Sequence, residues 1–193
     1  MNQNLERARK YFTLSDNFFH LVQAVLTETV KSGNQQFLIT RPIENYEQRY
    51  KELTNWSDFR IVIPTLFSFF HGIELELKAL NYLVKPPKKV NHDLCALHKE
   101  FNGNYPDKTV LNDVFAKYIY PSKENCKVLY DFYSLNDFKD SSQFYEVFKY
   151  PYKIDLKTEF DYSALKSIQK RPLGFFKEII ADIDTIQTER NKI

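Results

Sequence analysis

The chain has 193 residues, of which 43% are hydrophobic, 16% aromatic and 27% charged, with a formal charge of +2. That balance excludes a bulk electrostatic pull toward nucleic acid or acidic lipid, so any such binding has to come from a local patch. Four glycines argue against a sheet-rich fold with many tight turns and against glycine-lined phosphate loops, and no apolar run approaches the roughly 18 residues of a membrane span.

Leu5, Phe12, Phe19 and Leu26 repeat at sevens, which predicts a helix over residues 4–31 with one buried face. Ser32-Gly33-Asn34 ends it. Residues 34–55 read as a long connection with one short helix over 44–53, because the Arg41-Pro42 step biases the backbone away from helix. Trp56, Phe59, Ile63, Leu66, Phe70, Ile73, Leu77, Leu80 and Val84 then recur at steps of three and four, so a second long helix carries a continuous apolar stripe as far as Lys85-Pro86-Pro87. Asn91 is expected to cap a short third helix that turns Leu94, Leu97 and Phe101 inward and breaks at Asn102-Gly103-Asn104. Asp107 is expected to cap a further segment that ends at Pro121, and Ser122 to restart the helix through Leu129 and Tyr133.

Phe144, Val147 and Phe148 fit one helical turn, and the alternation after Tyr150-Pro151-Tyr152 predicts a small extended or hairpin segment near 144–158. The last helical region starts at Asp161 or Ser163, breaks at Pro172 and buries Phe176, Ile179, Ile183 and Ile186, with 188–193 as a polar tail. The fold class is therefore all-α, an antiparallel bundle of four to six helices in one domain over 1–193. Cys95 and Cys126 show no CxxC pattern and read as free thiols, and the polar N-terminal MNQNLERARK lacks the apolar core of a signal peptide, so a cytoplasmic location is expected.

Three segments in order resemble the landmarks of the HEPN superfamily. They are Phe70-His71-Gly72-Ile73-Glu74-Leu75-Glu76-Leu77-Lys78-Ala79-Leu80, then His92-Asp93-Leu94 with Leu97 following, then Phe148-Lys149-Tyr150-Pro151. The resemblance covers residues 57–185. It implies an antiparallel helical bundle, commonly a homodimer, of prokaryotic toxin–antitoxin, phage-defence and RNA-processing systems. Many members are metal-independent ribonucleases whose site is an Arg followed, after four to six residues, by a His. Here none of His20, His71, His92 and His98 follows an arginine at that spacing. Lys149 also stands where an arginine is more frequent, which keeps a charge and loses planar two-point phosphate recognition.

His71, Glu74 and Lys78 fall at i, i+3 and i+7 on the long helix. An acid–base pair beside a cation is one reading, and we prefer the plainer one, a Glu74–Lys78 ion pair on a partly covered face with His71 packed beside it. His92 and Asp93 open a helix behind Lys85, Lys88 and Lys89, where the first amides can receive an anion; its plain alternative is a capped helix after a solvated lysine loop. Lysines interleave with aromatics between Tyr105 and Lys157, but Asp107, Asp113, Glu124, Asp131, Asp137, Asp140, Glu146 and Asp155 nearly cancel them. A di-metal carboxylate bundle needs Glu-x-x-His steps, and the single His71-x-x-Glu74 step runs in the opposite order, so no metal or cofactor is expected.

The expectation is thus a non-catalytic RNA- or nucleotide-binding, or partner-binding, HEPN-like module. Lys88, Lys89, His92 and Lys149 make its anion or RNA contacts, and Glu74, Lys78, Asp93 and Tyr150 support them. The alternatives are a divergent ribonuclease with His71 or His92 as base, and a structural dimer or antitoxin partner.

Overall fold

The computed structural model describes residues 3–34, 45–86, 91–153, 155, 157–166 and 171–193. Among these residues the chain forms α1 (Gln3–Ser32), α2 (Tyr46–Thr54), α3 (Asp58–Val84), α4 (Leu94–Asn104), α5 (Thr109–Ile119), α6 (Lys127–Leu135), α7 (Phe144–Lys149) and α8 (Arg171–Arg190). The fold is an all-helical bundle, as the periodicity predicts. Its helix count exceeds the expected four to six because α2, α6 and α7 are each short helices of their own.

α3 is the central rod. α1 and α4 lie against it with α7, α8 packs on α1, and α5 bridges α4 to α8. Phe19, Val22 and Leu26 of α1 meet Val62, Leu66, Phe70, Ile73, Leu77 and Leu80 of α3 in the main core. The stripe is shorter than its periodicity suggests, since Trp56, Phe59 and Val84 are 40%, 62% and 52% exposed. The middle of α3 is instead wrapped on every side, so that even Glu74, Glu76, Lys78 and Asn81 are buried. A helix enclosed all round has no solvated face on which to leave its polar residues. The partly covered face expected for Glu74 and Lys78 is therefore a fully covered one.

Gly72 lets α1 come close. A Cβ at this position would stand 2.7 Å from Phe19 Cε1 and 2.8 Å from Phe19 Cδ1, and Ser15 Oγ donates to the Gly72 carbonyl at 2.9 Å. Pro64 lies inside α3, and Ser68 Oγ donates to its carbonyl at 2.9 Å. α3 ends where Lys85 turns extended ahead of Pro86, the conformation that a following proline favours.

Several boundaries differ from the expectation. Asp93, not Asn91, caps α4, and the helix continues through Gly103. Lys108 rather than Asp107 precedes α5, and Ser122 closes a turn by accepting the amides of Glu124 and Asn125 at 3.2 Å, leaving α6 to begin at Lys127. Residues 151–160 make one antiparallel bridge, Tyr152 to Glu159, and no strand forms among the described residues. Asp161 holds only a turn through the Ser163 amide at 2.8 Å. α8 starts at Arg171, which puts Pro172 in its first turn, where the missing amide hydrogen breaks no helical bond. α8 also runs three residues into the expected tail, and the Arg190 side chain is held largely buried by Asp16 and Glu76. Among the described residues no helix is long and apolar enough to cross a membrane.

Candidate functional site

Glu74 has no exposed side-chain surface and gathers four donors from three segments of the chain. Lys78, one turn along α3, donates to Oε1, as does His92 Nδ1 at 2.9 Å from just ahead of α4. Tyr145 of α7 donates its hydroxyl to Oε2. His71 Nδ1 lies 3.3 Å from the same oxygen and 2.8 Å from the Tyr145 oxygen. Two donors per oxygen fill the four lone-pair positions of a carboxylate. Burial raises the Glu74 carboxyl, but the bonds from His71, Lys78 and Tyr145 outweigh it and bring the group down to about 2. Glu74 therefore stays ionised, and its charge is held by bonds rather than by water.

The donors differ in access. His92 keeps 59% of its side chain exposed, His71 22% and Lys78 9%. With Nδ1 bonded to Glu74, the other ring nitrogen of His92 faces away from the carboxylate into a half-open position. His71 packs against two phenylalanines, Phe18 edge-on at 4.6 Å and Phe67 near-parallel at 6.2 Å. Burial pushes the Tyr145 hydroxyl up first, and its bond to Glu74 and that group's charge push it further, so Tyr145 remains a donor. Tyr11, stacked on Tyr82 at 5.4 Å, is also raised, by burial, by Tyr82 and by the Glu74 charge.

The residues singled out in the sequence divide into four groups. His71, Glu74, Lys78 and His92 come together: the Glu74–Lys78 pair with His71 beside it is as the plain reading had it, and His92 is the addition that reading did not anticipate. Asp93 is beside them, but its carboxylate accepts from the amides of Cys95 at 2.9 Å and Ala96 at 3.2 Å. Those are the amides expected to receive an anion, so the end of α4 is already capped. Lys149 lies one turn past Tyr145 and holds its ammonium 5.3 Å from the Tyr150 ring centre, with Tyr150 half exposed. Lys88 and Lys89 lie outside the described residues.

Sequence reasoning missed Tyr145, one of thirteen tyrosines with no spacing to mark it. A second buried network went unread. Arg190 Nη1 bonds Glu76 Oε2 at 3.2 Å and Asp16 Oδ1 at 3.0 Å, tying α8 to α3 and α1. Glu76 is raised to about 7 by burial, against the lowering effect of Arg190, and its Oε1 has no partner. A third network joins α5 to α8, where Asp182 accepts from Lys117 at 2.8 Å and from Tyr118 at 2.6 Å. Among the described residues no cluster of His, Cys, Asp and Glu has a metal-binding arrangement, and Cys95 and Cys126 are free thiols.

Comparison with protein-family models, curated proteins and solved structures finds no match to this chain.

Proposed function

We propose that this protein is an HEPN-like helical module that binds a phosphate-bearing ligand, RNA or a nucleotide, at the Glu74 site, and that it works as a homodimer in a bacterial defence, toxin–antitoxin or stress system. One observation carries the reading. Glu74, the first glutamate of the ELELK segment, bonds both Lys78 of that segment and His92 of the His-Asp-Leu segment. Two of the three landmarks that prompted the resemblance thus serve one buried carboxylate, and their most exposed member is an imidazole suited to a phosphate oxygen. Lys149, one turn beyond Tyr145, adds a cation on the third landmark.

A second reading is metal-independent RNA cleavage. It is favoured by the attachment of His71 and His92 to the same carboxylate, since an imidazole oriented through Nδ1 has its other nitrogen available for proton transfer. A gel shift of single-stranded RNA at two salt concentrations, run beside a cleavage assay in EDTA, separates the two. The binding function gives salt-sensitive affinity, weakened by His92→Ala and Lys149→Ala, with the RNA intact. Cleavage that disappears in His71→Ala or His92→Ala would replace it with the ribonuclease reading. Absence of both would leave the structural or antitoxin-partner role.

A further inference from the structure

We infer that a phosphate-bearing ligand enters the Glu74 site together with a proton, because the hydrogen bonds to Glu74 use the single N–H that each neutral imidazole carries. The inference rests on the binding function proposed above and specifies how that binding is regulated.

The donor inventory leads there. Tyr145 gives its hydroxyl hydrogen to Glu74 Oε2, so the Tyr145 oxygen and Glu74 Oε2 are left as acceptors for His71 Nδ1. His92 Nδ1 likewise faces only an acceptor, Glu74 Oε1, at 2.9 Å. Both rings therefore carry their hydrogen on Nδ1, and in the neutral form both present a bare Nε2 lone pair. A bare lone pair repels a phosphate oxygen. Adding one proton converts that nitrogen into a charged donor, which forms the stronger, charge-assisted type of bond.

The groups bonded to Glu74 do not substitute for this proton. The titratable and charged groups around the two rings are Glu74 and Lys78 on α3, Tyr145 on α7 and Asp93 at the start of α4, with Tyr11 of α1 feeling the Glu74 charge and Lys149 one turn beyond Tyr145. The Lys78 ammonium is spent on Glu74 and is 9% exposed. The Asp93 carboxylate is engaged with helix amides, and Tyr145 gives its one hydroxyl hydrogen to Glu74. With both imidazoles neutral, Glu74 and Lys78 cancel, so the group bonded to Glu74 offers an anion no net positive charge, and Lys149, the other cation of the proposed site, stands over the Tyr150 ring. His92, at 59% exposure, is the ring that a ligand reaches first.

The test uses the full chain and a short single-stranded RNA without terminal phosphates, whose diesters keep a constant charge from about pH 5.5 to 8.5. Affinity is expected to fall as pH rises, by up to about tenfold per unit on the alkaline side. Calorimetry in buffers of different ionisation heat is expected to show uptake approaching one proton per ligand. In His92→Gln, whose side chain carries a permanent neutral donor, the pH slope should flatten. Nitrogen NMR of the free protein should show the Nδ1–H form for neutral His71 and His92. Binding without pH dependence, a slope retained in His92→Gln and His71→Gln together, or an Nε2–H form of His92 would overturn the inference and leave the binding function standing. Absence of binding at every pH would overturn both.

Discussion

Tyr145 donates its hydroxyl hydrogen to Glu74 across 71 positions of chain, and this bond joins the short helix α7 to the centre of α3. It also sets the direction of the bond to His71, because it leaves the Tyr145 oxygen free to accept from His71 Nδ1. Removing the hydroxyl in Tyr145→Phe keeps the ring contacts with Phe67 and Phe144 and deletes a hydrogen bond to a charged acceptor. The expected loss is about 1.5–3 kcal/mol in urea unfolding. A change below about 0.5 kcal/mol would mean that the bond adds nothing to stability.

Glu74→Gln keeps the shape and removes the charge, leaving the Lys78 ammonium buried without its counter-ion. Breaking a buried pair from one side costs about 3–5 kcal/mol, so this variant is expected to be the most damaging single change in the site. Glu74→Gln combined with Lys78→Met removes both charges and should recover a large part of the loss, measured by the same unfolding midpoints.

The two buried glutamates of α3 have opposite pH signatures. Glu74 falls from an ordinary value of 4.5 to about 2, so it contributes stability above pH 4.5 that is lost as pH drops through 2. Glu76 rises from 4.5 to about 7, so the folded state holds a proton that the unfolded chain releases, and stability declines as pH climbs from 4.5 to 7. Each shift corresponds to roughly 3 kcal/mol. Thermal unfolding from about pH 3 to 8 should therefore lose its acid limb in Glu74→Gln and its decline toward neutrality in Glu76→Gln. Unchanged limbs would show that these carboxylates titrate alike in the folded and unfolded chain.

Gly72→Ala brings a methyl group to within 2.7 Å of the buried Phe19 ring. Alanine favours the helix by about 1 kcal/mol, but forcing α1 off α3 costs about 1–3 kcal/mol, and Phe19 is fully buried in the core. A net destabilisation is expected, partly relieved by Phe19→Leu in the same chain.

Asp93→Ala removes the cap of α4, at an expected cost of about 1 kcal/mol. His92 is its chain neighbour, so fraying of the first turn should also loosen the bond to Glu74, visible as faster hydrogen exchange at Cys95 and Ala96. Asp93→Asn, which can still accept from both amides, is expected to restore most of the stability.

How much of this was legible in the sequence varies by element. The sevens in α1 and the three–four spacing of α3 are local signals, repeated over many turns, and they produced the two longest helices within a residue or two. Helix starts were less secure. Asn91, Asp107 and Ser122 all have capping side chains, and only the geometry of the preceding turn selects Asp93, Lys108 and Cys126 as the residues that flank the helices. The site was half legible. His71, Glu74 and Lys78 share a helix face by spacing alone, whereas His92 and Tyr145 reach Glu74 across 18 and 71 positions.

Periodicity and composition, acting through local backbone preference and the burial of apolar faces, determined by themselves that this chain is a bundle around one long helix. What only the tertiary structure decided is the fate of the polar residues on that helix. Packing α1, α4 and α7 around α3 removes water from Glu74 and Glu76, and a buried carboxylate must then find its donors elsewhere in the chain. Glu74 finds four, becomes a fixed charge and orients two imidazoles, while Glu76 finds one arginine and is left with an unpartnered oxygen. Two glutamates two positions apart thus acquire different chemistry from their neighbours in space, which no spacing along the chain encodes.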